Sequence, residues 1–205
     1  RTDGRAPVSL MSRCLRLLIA FDGGGYQGWQ RQAHGPTVQG EVERALTTLF
    51  AHPVNVHGAG RTAAAVHALG MVAHFHTTTT IPVAAFSKAL NSLLPADIRI
   101  LAAVEAEVGF HSRFDAWGKT YRYDFCTAAI QLPSTRLYTA HRPGPFDPER
   151  IREPLAVLVG THDFSSFERT GSRDRTATHG RGAVRSLFRA DCAPQPGQAN
   201  CWSLR

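Results

Sequence analysis

The sequence predicts an α+β protein built from two units with antiparallel sheets. Strand-like, helix-like and strand-like segments follow one another in both halves of the chain, and this order favours α+β units over a doubly wound parallel fold. The 205 residues, of which 43% are hydrophobic, are enough for one large domain or two small ones with a sizeable core. The run Gly23-Gly24-Gly25 is not followed by Gly-Lys-Ser/Thr, so a nucleotide-binding P-loop is not expected.

The first half is expected to cover residues 15–108, after a polar leader over 1–14 that lacks the apolar core of a signal peptide. Thr37 is a suitable N-cap for a helix with one apolar face, and Pro82 is well placed at the start of a second helix. The predicted elements of this half are strands over 15–21, 53–58, 72–76 and 98–104, and helices over 38–50 and 83–93.

The second half is expected to cover residues 109–205 and is richer in proline and polar residues. Its predicted helix contains Pro154, which would interrupt it. The predicted order is a strand over 118–125, a connection over 131–148, a helix over 148–159 that Gly160 to Phe167 closes, a mobile basic loop over 168–182 with Arg173, Arg175 and Arg181, and strands over 184–190 and 201–204.

The formal net charge of +7 favours a polyanionic partner, because Lys and Arg contacts to phosphates release counterions. A basic protein without such a partner is the alternative that charge alone leaves open. Lys88 and Lys119 are the only lysines, and the excess of arginine suits bidentate phosphate contacts. High genomic G+C content would produce the same bias.

Cysteine usage and hydropathy indicate a cytoplasmic protein without a membrane span. The four cysteines have the spacing of neither a zinc nor a redox motif, so they are interpreted as reduced thiols. No apolar run approaches the length of about 18 residues that a membrane span needs. His74-Phe75-His76 could suggest a metal, but alternating histidines on a strand, with one facing outward, are the favoured interpretation.

The segment from Gly60 to His67, called the signature loop here, resembles the active-site loop of the tRNA pseudouridine synthase A family. That family's loop reads Gly-Arg-Thr-Asp-Ala-Gly-Val-His. A helix start with an alanine run is the alternative explanation of this segment alone. Six of the eight positions are kept in this chain, namely Gly60, Arg61, Thr62, Ala64, Val66 and His67.

Further segments resemble the same family, in the family's order, over roughly residues 15–190. Each alone would be weak, but together they are highly specific. They are Phe21-Asp22-Gly23 with Tyr26 and Gly28 to Gln32, Thr37-Val38-Gln39, Ala89-Leu90-Asn91 with Leu94-Pro95 and Asp97-Ile98, Phe110 to Phe114 with Lys119 to Tyr123, and Gly160 with His162-Asp163-Phe164 and Phe167.

The resemblance implies two ferredoxin-like (RRM-like) halves that share a central antiparallel sheet, with a basic cleft between them. It implies a homodimer that binds the anticodon arm of tRNA and isomerises uridines at tRNA positions 38–40, with no metal and no organic cofactor. The residues that the resemblance assigns to RNA contact are Tyr26, Trp29, Gln30, Arg31, Gln32, Gln39, Thr62, His67, Arg113 and Lys119.

The family chemistry needs a carboxylate as nucleophile or proton acceptor at the flipped nucleotide. By carry-over, Arg61 would hold that carboxylate ionised, and Tyr121 would stack on the uracil and help to move its C5 proton. An arginine salt-bridged within the fold and a tyrosine that faces the core are the alternatives. The carboxylate itself falls on Ala63, and the family's next glycine falls on Ala65.

Two departures from the family therefore bear on function. Ala63 can neither attack nor accept a proton, and Ala65 is strained if its backbone needs a positive φ. The family also continues into a strand and helix with a Met-Val-Arg motif, which has no counterpart before Arg205. Three hypotheses follow: an inactive or severely impaired synthase, a non-catalytic tRNA-binding protein or RNA chaperone, and an altered sequence without a selected function.

Overall fold

The computed structural model describes residues 12–167 and 183–205. The chain divides into two compact units, one ending at Gly118 and one beginning at Lys119. Most of the predicted leader over 1–14, and the predicted basic loop with Arg173, Arg175 and Arg181, lie outside the described residues. Within the part of the chain that is described, no helix is long and apolar enough to cross a membrane.

The first unit has the element order β-α-β-β-α-β. Its strands form one antiparallel sheet in the spatial order β2-β3-β1-β4, so β1 lies in the interior between β3 and β4. The elements are β1 Arg13–Phe21, α1 Val38–Phe50, β2 His57–Gly58, β3 Ala68–Thr77, α2 Val83–Leu93 and β4 Ile98–Ala106.

The core of the first unit forms because strands and helices each present one apolar face to the other. Leu15, Leu17 and Ile19 alternate along β1 and are fully buried, while Arg16 between them is exposed. They pack with Phe86 of α2 and with the buried side chains of α1, which are Val38, Val42, Ala45 and Leu46.

Helix α1 begins where the sequence predicts. Thr37 has an extended backbone, and its hydroxyl oxygen accepts a hydrogen bond from the Gly40 amide at 3.2 Å, which satisfies one of the free N–H groups of the first turn. The helix ends at Ala51, whose φ of 59° lies in the left-handed region and whose N–H donates to the Thr47 carbonyl.

The second unit consists of small sheets and one helix. Strands β5, β6, β9 and β10 form a sheet in the order β6-β5-β10-β9, in which β5 and β6 are parallel, and β7 pairs with β8 in an antiparallel ribbon. The elements are β5 Tyr123–Cys126, β6 Ala140–His141, α3 Glu149–Leu158, β7 Gly160–Asp163, β8 Val184–Leu187, β9 Cys192–Pro194 and β10 Cys201–Leu204, with short 3₁₀ turns at Pro133–Thr135 and Ser165–Phe167.

Several sequence-based element predictions need correction. The strand predicted over 53–58 is reduced to His57–Gly58, because only these two residues pair with β3. The strands predicted over 118–125 and 184–190 shrink to Tyr123–Cys126 and Val184–Leu187 for the same reason, since a strand extends only where a partner strand accepts its hydrogen bonds.

The second unit differs from the sequence-based predictions in four further ways. Pro154 does not interrupt α3, which continues through it to Leu158 although proline has no N–H to donate to the Arg150 carbonyl; its side chain is exposed. Helix α3 ends at Leu158, directly before the segment predicted to close it, and that segment also contains β7, which was not predicted; β9 was not predicted either. The connection over 131–148 contains a 3₁₀ turn and β6.

Candidate active site

Two loops of the first unit are hydrogen-bonded to each other and form the candidate site. The first, called the amide loop here, follows β1 and covers residues 22–37, and the second is the signature loop between β2 and β3. The Trp29 N–H donates to the Thr62 carbonyl at 3.3 Å, and the Ala65 N–H donates to the Tyr26 carbonyl at 3.2 Å. These backbone bonds hold residues distant in sequence at fixed positions beside each other.

Glycines make this close approach of the two loops possible. A Cβ on Gly28, whose φ is +93°, would lie 2.3 Å from the Thr62 carbonyl oxygen, and a Cβ on Gly23 would lie 2.1 Å from that of Val66. Both distances are shorter than any real contact of a Cβ with backbone. Any larger residue at Gly23 or Gly28 would therefore force the loops apart.

His67 connects the end of the signature loop to the start of the amide loop. Its Nδ1 lies 2.9 Å from a carboxylate oxygen of Asp22 and 3.2 Å from the Gly23 amide nitrogen. The same Asp22 oxygen accepts a hydrogen bond from the Gly24 amide at 2.9 Å. The described contacts of His67 thus give it a role in holding the loops, and its predicted RNA contact stays a prediction.

The signature loop leaves its central side chains exposed. Arg61 and Ala63 are both exposed, and no carboxylate in the described part of the chain lies within ion-pair distance of the Arg61 guanidinium. The carbonyl of Ala63 accepts a hydrogen bond from the Val66 N–H at 3.3 Å, which closes a turn over residues 63–66. At the position of the family carboxylate, the site therefore presents a methyl group.

Ala65 lies third in this turn with a φ of 61°, in the left-handed region that favours glycine. The resemblance predicts glycine at this position, and the backbone does have the positive φ that glycine adopts without strain. Its N–H still donates to Tyr26, so the loop keeps its path at the cost of a strained alanine.

A buried polar network fixes the amide loop to α1. The Gln39 side-chain oxygen accepts from the Gln30 amide and from the Arg31 backbone N–H, both at 2.8 Å. Its nitrogen donates to Glu43 at 3.0 Å, and Glu43 also accepts from the Val56 N–H at 3.0 Å and from the Arg31 guanidinium at 2.8 Å. Every buried polar atom named in this network has a hydrogen-bond partner, and this avoids the free-energy cost of burying an unpaired polar group.

Two aromatic residues that the resemblance assigns to RNA contact are buried. Trp29 is 2% exposed and packs against Phe21, with ring centroids 6.2 Å apart. Tyr26 is 7% exposed, and its hydroxyl donates to Asp97 at 2.7 Å. Burial, followed by this hydrogen bond, raises the pKa of Tyr26 well above its ordinary value, so the hydroxyl stays protonated.

The remaining predicted residues of the first unit differ in exposure. Gln32 is exposed and donates to the Gln27 carbonyl at 3.0 Å. Arg113 is exposed, with its guanidinium 6.0 Å from the ring centre of Phe114. Thr62 is half-buried, and its hydroxyl oxygen is buried with no hydrogen-bond partner among the residues that the structure describes.

Ser112 lies in the family segment Phe110 to Phe114 and is hydrogen-bonded to His74 of β3. The Ser112 hydroxyl donates to the His57 carbonyl at 2.7 Å, and the Ser112 N–H donates to His74 Nδ1 at 3.1 Å. His74 and His76 lie on the same face of β3 with ring centroids 5.7 Å apart, and His74 is buried while His76 is exposed. Burial first, and then the charges of neighbouring histidines, lower the pKa of His74 to about 4.

Tyr121 and Lys119 belong to the second unit, and both are exposed. Tyr121 is 75% exposed, so the alternative of a core-facing strand tyrosine does not hold. It also precedes β5 and is not part of a strand. Its predicted part in proton transfer stays a prediction.

Sequence analysis did not foresee the structural roles of four residues that organise the site, namely Asp22, Glu43, Asp97 and Ser112. Glu43 carried a usable signal, because it lies four residues after Gln39 on the buried side of α1, where charged residues are rare. Asp22, Asp97 and Ser112 lie in the family segments, but no local pattern identifies their hydrogen-bond and ion-pair partners, which lie far away in the sequence.

Comparison with known proteins places the chain in a family. Residues 17–115 match the family model described as tRNA pseudouridine synthase. The chain is 51% identical over 178 residues to tRNA pseudouridine synthase A 1 of Desulfotalea psychrophila, which covers 87% of this chain and 71% of that protein. It is 43% identical over 181 residues to tRNA pseudouridine synthase A of Geotalea uraniireducens, with coverages of 88% and 72%.

A relative from Solibacter usitatus, also named tRNA pseudouridine synthase A, is 40% identical over 185 residues, which are 89% of this chain and 76% of that protein. The family-model match over residues 17–115 includes the two hydrogen-bonded loops. The chain belongs to the tRNA pseudouridine synthase family.

Proposed function

We propose that this chain binds the anticodon arm of tRNA but forms little or no pseudouridine. The observation that carries the proposal is the exposed Ala63 in a signature loop whose surrounding hydrogen bonds are intact. These hydrogen bonds support the proposal that the signature loop is the active-site loop, and the proposed defect is the absence of a carboxylate at position 63.

The chemistry explains why this one absence matters. Uracil must leave through its N1–C1′ bond, turn over and rejoin the sugar through C5, after the nucleotide has been flipped out of its stack. A carboxylate at position 63 would act as nucleophile or proton acceptor, and a methyl group does neither. Loss of such a group costs on the order of 10³–10⁶ in rate.

Binding is expected to survive because it depends on other groups. Arg61 and Arg113 are exposed, and the net charge is +7. With no carboxylate at position 63, the Arg61 guanidinium is available for a phosphate or a base. Arg31 forms an ion pair with Glu43, yet 61% of its side chain is exposed, and we propose that it also contacts a backbone phosphate.

The finer architecture belongs to the same proposal. The β-α-β-β-α-β order of the first unit supports a ferredoxin-like half, and we propose a second such half, with a shared sheet and a basic cleft that accommodates the tRNA. By the same resemblance, the protein acts as a homodimer in the cytoplasm, and Tyr121 of the second unit stacks on the target base.

The non-catalytic role is that of a pseudoenzyme or an RNA chaperone. It is favoured over catalysis by the chain as it stands, because both Ala63 and Ala65 depart from the family within one turn of the signature loop.

The test compares this chain with its Ala63→Asp variant. Pseudouridine formation is measured on unmodified tRNA at stoichiometric protein, and binding is measured in parallel. We expect binding by both proteins and product only from Ala63→Asp. Product from the unchanged chain would overturn the assignment of the missing carboxylate to position 63. If neither protein forms pseudouridine while both still bind tRNA, the alanine at position 63 is not the only cause of inactivity.

A second pair of variants tests the binding half of the proposal. Arg61→Ala should weaken tRNA binding. It should also reduce the magnitude of the slope of log K against log salt concentration by about one, because one phosphate contact is lost. Arg44→Ala is the matched control, since Arg44 is also exposed in the first unit but pairs with Glu41 on α1. Equal losses from both variants, or tRNA binding that does not change with salt, would contradict the proposed site.

A further inference from the structure

Two buried cysteines of the second unit lie directly opposite each other on neighbouring strands. Cys126 of β5 and Cys201 of β10 are partners in the antiparallel ladder, and they are 4% and 6% exposed. These two strands are the central pair of the sheet. The pair plays no part in the site of the first unit.

The register places the two cysteines at a non-hydrogen-bonded pair of the ladder. The Thr127 N–H donates to the Asn200 carbonyl at 2.8 Å, so the preceding opposed residues form a hydrogen-bonded pair. Hydrogen-bonded and non-hydrogen-bonded pairs alternate along antiparallel strands, and the latter bring Cα atoms to about 4.5 Å. This separation lies within the range of about 4.4–6.8 Å that disulfides span.

The other cysteines have no such opposed partner. Cys14 lies in the first unit, with its sulfur 3.9 Å from the Phe110 carbonyl oxygen, and Cys192 is opposite Leu204. Because Cys126 and Cys201 are directly opposed in the antiparallel ladder, their side chains lie beside each other on the same face of the sheet.

We propose that Cys126 and Cys201 are a modification site that closes to an intramolecular disulfide when a low-molecular-weight disulfide is the oxidant. One cysteine loses its thiol proton to water, and its thiolate attacks a sulfur of the oxidant and expels one small thiolate. The second cysteine thiolate then attacks the protein sulfur of this mixed disulfide and expels the other. Two protein thiols are oxidised, and the small disulfide is reduced to two thiols.

Burial makes this exchange slow without preventing it. Burial raises the pKa of Cys201 to about 11, so only a small fraction of it is thiolate at neutral pH. β9, which covers β10 on one side, is a three-residue strand at the sheet edge, and its opening would expose Cys201 to the oxidant. The reduced pair is therefore expected to persist until an oxidising buffer or long exposure closes it.

The bridge would matter for the stability of the second unit. It would close a loop of about 75 residues, and cross-links of this kind remove conformational freedom from the unfolded chain. That loop contains α3, which buries no side chain of its own, and the ribbon of β7 and β8. Oxidation should raise the unfolding temperature of the second unit by several degrees.

The experiment uses the full chain in its Cys14→Ser/Cys192→Ser form, which keeps only the proposed pair. The protein is equilibrated in glutathione buffers of increasing oxidised fraction, then denatured and treated with N-ethylmaleimide, and its intact mass is measured. We expect a mass lower by about 2 Da and no maleimide uptake at the oxidising end, because two hydrogens leave as the bridge forms. The reductant dithiothreitol should reverse the mass change and the rise in unfolding temperature.

The matched control adds Cys126→Ser to the same background, and its remaining thiol should take up one maleimide or one glutathione at every potential. Peptide mapping of the unsubstituted chain keeps the proposal falsifiable if a serine variant does not fold. A peptide pair linked through Cys126 and Cys201 supports it. Free thiols at all potentials, stable mixed disulfides without closure, or a bridge to Cys14 or Cys192 would overturn it.

Discussion

The two units of this protein differ in how their helices are used. In the first unit, α1 and α2 bury six and two residues, and Phe86 at the centre is fully buried between Phe50 and Phe75. In the second unit, α3 buries none, and Val157 and Leu158 remain exposed. A helix with an apolar face is therefore present in both units, but only the first unit covers that face.

This difference predicts unequal resistance to unfolding. Hydrophobic burial is the main favourable contribution to stability, and segments with few buried contacts open at a lower free energy. The candidate loops lie on the unit with the continuous core, where they can be held at fixed positions. The second unit should open first.

The largest expected effect tests the core of the first unit directly. Phe86→Ala should lower its free energy of unfolding by about 3–5 kcal/mol, because a large buried ring is lost and a cavity remains. Phe167→Ala in the second unit is the matched change, since Phe167 is 82% exposed, and it should cost less than about 1 kcal/mol. Hydrogen exchange with urea denaturation reports each unit separately.

Similar decreases in the free energy of unfolding from Phe86→Ala and Phe167→Ala would contradict the proposed difference between the units, because they would mean that Phe167 is buried in solution. A loss confined to Phe86→Ala, seen only in amides of the first unit, would sharpen it.

An intermediate effect comes from pH. The pKa of His74 is about 4 in the folded protein against an ordinary value of 6.5, because burial disfavours its charged form. Between these two values the unfolded chain binds more protons, so the free energy of unfolding of the first unit should fall as pH drops from about 6.5 to about 4, by roughly 1–3 kcal/mol. Above about pH 7 this contribution is constant.

The control variant is His74→Asn, whose amide oxygen can accept the Ser112 N–H in place of Nδ1 but does not titrate. It should flatten the pH dependence in this window, as measured by urea denaturation at several pH values. In the described part of the second unit no histidine is buried, so its amides should not show this dependence. A wild-type profile that His74→Asn leaves unchanged would rule out His74 as the cause.

The same contrast explains which parts of the fold could be predicted from sequence. β1, α1, α2 and β4 follow from local signals, namely alternation along residues 15–21, the Thr37 cap and Pro82 at a helix start. The strands of the second unit are short and set by their partners, such as β5 between β6 and β10, and no local pattern gives those partners.

The candidate site was predictable to a similar degree. The signature loop and the alanine at position 63 could be read from consecutive residues, and the assignment of the family carboxylate to that position stays a prediction. The burial of Trp29, Tyr26 and Gln39 was not predictable, since it depends on contacts with Thr62, Asp97 and Glu43 that only the folded chain creates. Motif residues beside a site can thus serve to position its loops.

The smallest expected effect concerns backbone strain at a left-handed residue, which is an alanine in the first unit and an asparagine in the second. Ala65 in the first unit and Asn200 in the second both have a left-handed backbone, with φ of 61° and 57°. A Cβ in this region costs roughly 1 kcal/mol, but asparagine tolerates it better than alanine does. Ala65→Gly relieves this strain and should therefore raise the free energy of unfolding of the first unit by up to about 1 kcal/mol. The greater conformational entropy of glycine in the unfolded chain offsets part of this gain.

Asn200→Gly should change the second unit by less than Ala65→Gly changes the first. Ala64→Gly is the local control, because Ala64 precedes Ala65 in the same turn without a positive φ, and glycine there should be destabilising. Urea denaturation of the three variants ranks them. If Ala65→Gly were no more stable than Ala64→Gly, the signature loop would not hold its left-handed residue in solution, and the positioning of Arg61 and Ala63 by this turn would fail with it.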